Sequence, residues 1–409
     1  MAIRTASSSA IAPAIVPAIR AAASMPRIDL LVLQPSAFCN IDCDYCYLPD
    51  RGNRRRMSLD TLERALDRVF GSDMLGGHLS IVWHAGEPLA VPRRFYDQAF
   101  AVIDRLRPAG LSVSHAMQTN ATLLDADWAA FIRAHNIQIG VSLDGPQALH
   151  DAHRRTRTGG GTFDRTMAGV RVLQAAGIPF HVIAVLSADS LGHAAEIHDF
   201  FAAHGIRQVG FNYDEQDGAQ RRSSMDFAGA EAAYGAFLGH FLDRALAAPG
   251  SAIVVRELAG AAAAIAGPPD VQAANHQADA FGILCVDVDG NVSTFSPELL
   301  GLRDARLGDF IIGNVHRDSL QDMTAQPYLH ALQREIDAGV AACRRDCPCF
   351  RFCGGGAPAN KLAETGRLDV TETLYCRLTK KAVLETVLGA LETRLGFAGP
   401  AGGSCGRDD

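Results

Sequence analysis

The stretch that decides the fold of this 409-residue chain is Phe38-Cys39-Asn40-Ile41-Asp42-Cys43-Asp44-Tyr45-Cys46-Tyr47. Its cysteines have the spacing C-x3-C-x2-C and directly follow the first predicted strand. Three thiolates on one short loop can bind three irons of a cubane cluster, which leaves the fourth iron without a protein ligand. An open coordination position is typical of a catalytic metal rather than a structural one. A zinc knuckle with its fourth ligand elsewhere is the alternative that spacing alone allows.

Around this loop, short β-rich runs alternate with longer amphipathic runs. The predicted strands are Leu30–Gln34, Leu79–Trp83, Leu111–Met117, Ile137–Leu143, Phe180–Leu186 and Gln208–Asn212. The predicted helices lie near Leu59–Phe70, Arg93–Leu106, Asp125–His135, Phe163–Ala176 and Ala194–His204. Such alternation predicts βαβ units and a parallel sheet. Six units are fewer than a closed eightfold barrel needs, so we expect an α/β protein with a partial (β/α)6 TIM-like barrel and its chemistry at the carboxyl ends of the strands.

Charge and cysteine content exclude several classes of partner. Acids (45) exceed Lys plus Arg (38), which gives a net charge of −7 and no basic face for nucleic acid. No apolar run reaches roughly 18 residues, so we expect no membrane-spanning helix. The chain has 10 cysteines and no clear secretory signal, so we expect a cytoplasmic protein whose clustered thiols serve metal or redox chemistry.

A second cysteine cluster follows near the carboxyl end. It contains Cys343, Cys347, Cys349 and Cys353, and Cys376 follows after 22 intervening residues. Four thiolates suffice for a closed iron–sulfur cluster or for a structural zinc site, and the spacing leaves both open.

Changes in composition and in predicted secondary structure divide the chain into five segments. They are a disordered extension (1–25), the barrel (26–246), a bridging segment (247–280), a small metal-centred domain (281–395) and a frayed tail (396–409) that includes Cys405. The small domain begins with a predicted hairpin, Ile283–Val286 and Val292–Phe295, around an Asp289-Gly290 turn. A final helix is expected near Lys380–Leu391.

The first cysteine cluster resembles the signature of radical S-adenosylmethionine (SAM) enzymes. In that family the cysteines, here Cys39, Cys43 and Cys46, bind a 4Fe–4S cluster. The amino and carboxylate groups of S-adenosylmethionine chelate the fourth iron, and the reduced cluster cleaves this cofactor to a 5′-deoxyadenosyl radical. The resemblance therefore implies that the cofactors carry the difficult chemistry.

Later positions support this resemblance in the expected order. Trp83-His84-Ala85-Gly86-Glu87-Pro88 is similar to the family's Gly-Gly-Glu-Pro motif, with Ala85 in place of the first glycine. The resemblance implies a charge-assisted hydrogen bond from the cofactor ammonium to Glu87. It also implies adenine packing at Tyr45, and a partner for the cofactor carboxylate at Arg154. The full implied set of cofactor contacts is Tyr45, Gly86, Glu87, Asn120, Ser142, Asp144 and Arg154.

The second cluster is similar to the SPASM domain of radical peptide-modifying enzymes. The residues that match ligands of its outer cluster are Cys343, Cys347, Cys353 and Cys376, with Cys349 a possible substitute. At two positions of the inner cluster this chain has Phe295 and Ala357 instead of cysteine. The resemblance therefore implies one auxiliary 4Fe–4S cluster rather than two, with Cys285 left as a buried strand thiol.

Several runs resemble the cyclophane-forming peptide maturases that act on glycine-rich precursors. They are Leu33-Gln34-Pro35, Asp44–Pro49, Phe295–Leu299 and Cys353–Lys361. This resemblance implies a ribosomal precursor peptide as substrate, a ferredoxin or flavodoxin as reductant, and a C–C crosslink between an aromatic ring and a nearby β-carbon. Restoring aromaticity needs a proton acceptor, for which Asp214 and Glu215 are candidates and Glu298 a remote third. A sulfatase maturase and a zinc-stabilised peptide-binding protein are the rival interpretations.

Overall fold

The computed structural model describes residues 27–268 and 271–396. The predicted disordered extension at 1–25 and the tail beyond Gly396, with Cys405, lie outside the described residues.

The strands and helices are interleaved along the chain. The strands are β1 (Ile28–Leu33), β2 (Ile41–Cys43), β3 (Leu75–Trp83), β4 (Ser112–Thr119), β5 (Gln138–Ser142), β6 (Arg154–Thr156), β7 (Phe180–Leu186), β8 (Gln208–Tyr213), β9 (Val254–Val255), β10 (Ile283–Val286), β11 (Asn291–Thr294) and β12 (Gly313–Asn314). The helices are α1 (Leu59–Phe70), α2 (Arg93–Leu106), α3 (Ala126–Ala134), α4 (Gln147–His153), α5 (Phe163–Ala175), α6 (Ala194–Ala203), α7 (Ala230–Ala247), α8 (Arg256–Ala266), α9 (Leu320–Thr324), α10 (Pro327–Asp346), α11 (Phe350–Cys353), α12 (Pro358–Thr365), α13 (Leu374–Cys376) and α14 (Val383–Leu395). A π-helical segment, Arg377–Ala382, leads into α14.

One sheet organises the described residues. Its strand order is β12-β11-β10-β1-β3-β4-β5-β7-β8-β9. The six strands from β1 to β8 that the sequence predicted pair in parallel, with helices between them. This arrangement confirms the predicted α/β partial barrel. It also brings the loops after these strands to one rim, where the chemistry of such folds is located.

The start of α1 shows how local sequence fixes these units. Ser58 precedes the helix in an extended conformation, and its side chain accepts a hydrogen bond from the Thr61 amide. Leu62, Leu66 and Val69 then recur at helical spacing and are buried in the core. Capping and amphipathic spacing thus fix the bounds that the sequence predicted.

The predicted hairpin forms and extends the barrel's own sheet. Strands β10 and β11 pair antiparallel, and β10 also pairs in parallel with β1, so that Val32 lies beside Cys285. The boundaries at 247 and 281 remain a prediction, because the sheet runs continuously across them.

Helix α10 is a 20-residue element that the sequence analysis did not assign. Its buried positions, Leu329, Leu332, Ile336, Gly339 and Cys343, recur every three or four residues, which is the period of an amphipathic helix. That signal was available in the sequence. Among the described residues, no helix combines the length and apolar content that crossing a bilayer requires.

Candidate active site

The loop that carries the first three cysteines is anchored by a two-stranded ribbon. Strand β2 pairs antiparallel with β6, which places Cys43 opposite Arg154. Burial, with a smaller contribution from Glu87, raises the pKa of Cys39 to about 12. Burial likewise raises the pKa of Cys43 to about 11, although the Arg154 guanidinium opposes the shift. Thiols bind metal as thiolates, so metal binding at this loop would displace these protons.

Hydrogen-bond donors lie close to two sulfurs of this loop. In the described part of the chain, no three His, Cys, Asp or Glu side chains are arranged to hold one metal ion. The thiolates of a cubane cluster bind different irons, so they surround a volume and need not meet at a point. Two donors already lie near the sulfurs: Asn120 Nδ2 is 3.8 Å from Cys39 Sγ, and an Arg154 nitrogen is 3.9 Å from Cys43 Sγ. Such outer donors are typical of metal–thiolate centres.

Glu87 lies at the carboxyl end of β3 and is only 1% exposed. One carboxylate oxygen accepts hydrogen bonds from the Leu89 amide (3.0 Å) and the Thr119 hydroxyl (2.6 Å), and the other from the Asn120 amide (2.8 Å). Burial raises its pKa to about 6. The second oxygen keeps one acceptor position, which is compatible with the predicted contact to an ammonium group.

Asp144 and Arg154 form a buried ion pair, 2% and 6% exposed. The Arg154 Nε and Nη2 atoms donate to the two carboxylate oxygens at 2.9 and 3.0 Å. The Tyr45 hydroxyl and the Val185 amide also donate to this carboxylate. With four donors, the carboxylate of Asp144 is fully satisfied. This network fixes the predicted adenine neighbour, Tyr45, to the loop after β5.

The remaining predicted cofactor contacts, Gly86, Asn120 and Ser142, follow β3, follow β4 and end β5, and His84 lies beside them. Ser142 ends β5, and its hydroxyl accepts a hydrogen bond from Gln118 at 3.0 Å. Asn120 follows β4 and donates to Asn40 of the cysteine loop at 2.9 Å. His84 follows β3 and lies 3.2 Å from the Tyr47 hydroxyl, while burial lowers its pKa to about 4. The structure therefore brings the predicted positions together, while their roles in cofactor binding remain a prediction.

The two predicted proton acceptors lie in different surroundings. Asp214 accepts hydrogen bonds from the Ser223 hydroxyl (3.2 Å) and the Ser224 amide (2.8 Å), so it holds a turn of the following loop. Glu215 accepts a hydrogen bond from Asn360 of α12 at 2.7 Å, and burial raises its pKa to about 7.

Glu215 belongs to a group of acids that sequence reasoning did not assemble. Asp217 shares a hydrogen bond with Glu298, and burial together with the Glu298 charge raises the pKa of Asp217 to about 10. Glu298 is 2% exposed, and its Oε1 has no hydrogen-bond partner among the described residues. The neighbouring loop returns to the cysteine loop, because the Ala219 amide donates to the Tyr47 carbonyl at 2.7 Å.

The second set of cysteines surrounds the end of α10. Cys343 lies in its last turn, Cys347 is its C-cap, and Cys353 ends α11. Burial raises the pKa of Cys343, and the Lys361 ammonium opposes that shift. Burial also raises the pKa of Cys376, and the charge of Cys353 adds to the effect. Cys343, Cys353 and Cys376 are therefore close enough to interact electrostatically.

The residues at the inner-cluster positions are packed as core. Cys285 is 0% exposed and packs with Val32, Ile283 and Leu300. Phe295 and Ala357 are 3% and 1% exposed. Side chains are buried at all three positions, and the number of auxiliary clusters stays a prediction.

Comparison with known proteins gives the class. A family model described as the Radical SAM superfamily matches residues 33–201. An uncharacterized protein of Synechocystis (sll1766) is 39% identical over 374 residues, which are 90% of this chain and 94% of that protein. The serine-type anaerobic sulfatase-maturating enzyme of Klebsiella aerogenes is 33% identical over 192 residues, which are 46% of this chain and 47% of that enzyme.

Solved structures share the fold. The structure of anSMEcpe with bound AdoMet has a TM-score of 0.74 and 20% identity, and the match covers 92% of this chain and 97% of that one. Streptococcus suis SuiB bound to its precursor peptide SuiA has a TM-score of 0.60 and 17% identity, over 86% and 76% of the two chains.

The chain thus belongs to the radical SAM superfamily. Part of the chain is similar in sequence to a sulfatase-maturating enzyme, and its fold is that of anSMEcpe and SuiB. A 4Fe–4S cluster and S-adenosylmethionine are its cofactors, and its cysteine-rich carboxyl-terminal region fits an auxiliary cluster.

Proposed function

We propose that this enzyme modifies a ribosomal precursor peptide, forming a cyclophane by a C–C bond between the β-carbon of one residue and the aromatic ring of a neighbour. The peptide is glycine-rich, and a ferredoxin or flavodoxin supplies electrons. The observation that carries the proposal is the buried acid group of Glu215, Asp217 and Glu298, which lies where the sheet meets the packed inner-cluster positions. A crosslink of this kind releases a proton in a water-poor site, and this group can take it.

The residues that would hold the cofactors are those of the two cysteine sets. Cys39, Cys43 and Cys46 would bind the catalytic cluster, and Cys343, Cys347, Cys353 and Cys376 the auxiliary one. When bound, the catalytic cluster and S-adenosylmethionine supply a radical that removes one hydrogen atom from the peptide β-carbon. Glu87, Asp144 and Arg154 keep the rim rigid around this site through their buried hydrogen bonds.

Ring closure leaves the aromatic carbon with one hydrogen and one electron too many. A cluster held by Cys343, Cys347, Cys353 and Cys376 would supply the acceptor for the electron, and the acid group takes the proton. Burial and the adjacent Glu298 carboxylate raise the pKa of Asp217, so this pair of acids is a site that takes up a proton. Oε1 of Glu298 has no partner among the described residues, so it is the atom that we assign to this step. Asp214 is occupied by the Ser223–Ser224 turn, and we assign it a structural role.

Mass spectrometry of a co-expressed precursor peptide tests the proposal. We expect a loss of two hydrogens and a crosslink between an aromatic residue and a neighbour. Glu298→Gln should still form 5′-deoxyadenosine but lose crosslinked product by about 100-fold, the scale of a missing proton-transfer group. Asp214→Asn is the matched control and should keep most of the product. Equal losses in both variants would contradict the assignment of Glu298.

Sulfatase maturation is the second candidate, favoured by the 33% identity to the Klebsiella enzyme. It predicts a free aldehyde on a Cys or Ser of the peptide and no crosslink. Iron analysis adds a further test, since two cubane clusters give about eight irons per chain and three give about twelve. Zinc without iron in anaerobically purified protein would refute both enzymatic functions.

A further inference from the structure

A lysine lies buried among the auxiliary cysteines. Lys361, on α12, is 2% exposed, and its Nζ is 3.6 Å from Cys343 Sγ. Two glycines make room for it: a Cβ at Gly339 would lie 3.1 Å from Nζ, and a Cβ at Gly356 would lie 3.4 Å from Cε. No carboxylate of residues 27–268 or 271–396 forms an ion pair with Lys361, so the sulfur is the hydrogen-bond partner of its ammonium.

A buried ammonium is costly unless a negative charge compensates it. Protonated thiols carry no charge and cannot do so. Cys343 and Cys376 both interact electrostatically with Lys361. A centre held by four thiolates is anionic and supplies the missing charge. The burial of Lys361 is thus explained by a metal–thiolate centre at these cysteines.

We infer that Lys361 is a positioning residue whose fixed positive charge makes the auxiliary cluster easier to reduce. One-electron reduction adds one negative charge to the cluster, and a neighbouring cation stabilises the more negative state. Hydrogen bonds to ligand sulfurs and nearby charge are established controls of cluster potential. The inference goes beyond the proposed function, because it depends on the auxiliary ligands and on no particular peptide.

The chain offers a matched control in Lys381. Its Nζ pairs with Glu372 at 2.7 Å, and its side chain is 22% exposed. Glu372 and solvent compensate this charge, which also interacts electrostatically with Cys347 and Cys349. Lys361→Met and Lys381→Met therefore each remove an ammonium group from the same region. Lys361 pairs with no carboxylate of the described residues, whereas Lys381 pairs with Glu372.

The experiment is a redox titration followed by electron paramagnetic resonance. The full chain carries Cys39/Cys43/Cys46→Ala, so that only the auxiliary cluster contributes. We expect Lys361→Met to lower the reduction equilibrium constant at least tenfold, about 59 mV for one electron. Lys361→Arg should restore most of it, and Lys381→Met should shift it by less than about threefold. A shift in Lys361→Met no larger than in Lys381→Met, at equal iron content, would overturn the inference.

A second measurement covers the case in which Lys361→Met takes up no iron. Protein that retains Lys361, in the same three-alanine background, is labelled with ¹⁵N-lysine. Pulsed electron paramagnetic resonance is then recorded on the reduced auxiliary cluster. Coupling to the Lys361 nitrogen is expected and should be lost in Lys361→Arg, whereas any coupling to Lys380, whose charge interacts with Cys353 and Cys376, should remain. Absence of that coupling would overturn the inference. Neither measurement uses a peptide substrate. The inference and the proposed function can therefore fail separately.

Discussion

Replacing Gly86 by alanine tests how the cysteine loop is supported. Gly86 has φ = +57°, a left-handed conformation, between β3 and Glu87. A Cβ there would lie 2.3 Å from the Phe38 carbonyl oxygen and 2.7 Å from the Ala37 backbone, whereas real Cβ atoms essentially never come within 3.0 Å. The loop would have to retreat by about 0.7 Å, and Phe38 is the residue before Cys39. The hydrogen bond from the Glu87 amide to the Phe38 carbonyl, 2.8 Å long, would be strained as well.

The expected cost has two parts. A left-handed alanine costs about 1–2 kcal/mol, and overpacking adds about 1–3 kcal/mol. We therefore expect Gly86→Ala to lower the free energy of unfolding by about 2–5 kcal/mol. We also expect it to reduce the iron bound per chain.

Two other glycines separate these parts. Gly110 has φ = +83°, and a Cβ added there would meet nothing within 4 Å, so Gly110→Ala should show the conformational cost alone. Gly77 in β3 has open space and no left-handed φ, so Gly77→Ala should change stability little. Urea unfolding and iron analysis of the three variants are the assays. Equal unfolding midpoints and equal iron in Gly86→Ala and Gly110→Ala would refute the reasoning.

Three further predictions concern the ion pair, a buried histidine and the cysteines. Asp144→Ala should cost about 3–5 kcal/mol in urea unfolding, because it leaves the Arg154 charge buried and unpaired; Asp144→Ala with Arg154→Leu should cost less than Asp144→Ala alone. Burial lowers the pKa of His150 from 6.5 to about 4. As the pH falls, the unfolded chain therefore protonates this histidine before the folded chain does. The free energy of unfolding should decrease as the pH drops from 6.5 to about 4, and it should decrease less in His150→Asn. Cys285→Ala should keep its iron, whereas Cys376→Ala should lose about four irons per chain.

Much of the barrel follows from local patterns. Helix α1 has the predicted bounds because both of its signals, the Ser58 cap and the helical spacing of apolar residues, are local in the sequence. Strands β3 and β7 were predicted in the same way, from short β-rich runs between helical ones. The long helix α10 was not predicted, although its apolar positions have a helical period.

The acid group shows where sequence reasoning ends. Asp217 and Glu298 lie far apart in the chain, and no spacing rule links them. They meet because β10 pairs with β1 and thereby brings the segment after the hairpin against the rim of the barrel. Asp214 and Glu215 are adjacent in sequence but separate in role, because neighbouring residues at a strand end point in different directions.

The sequence by itself determined the catalytic chemistry, since the spacing of Cys39, Cys43 and Cys46 sets how many thiolates one loop can present to a cluster. Only the tertiary structure decided which charges face each other across the molecule. It placed Lys361 against Cys343, and it left one oxygen of Glu298 without a partner among the described residues. The physical reason is range: ligand spacing is a covalent property of a few residues, whereas burial and electrostatic pairing depend on contacts between distant segments that exist only after the sheet has formed.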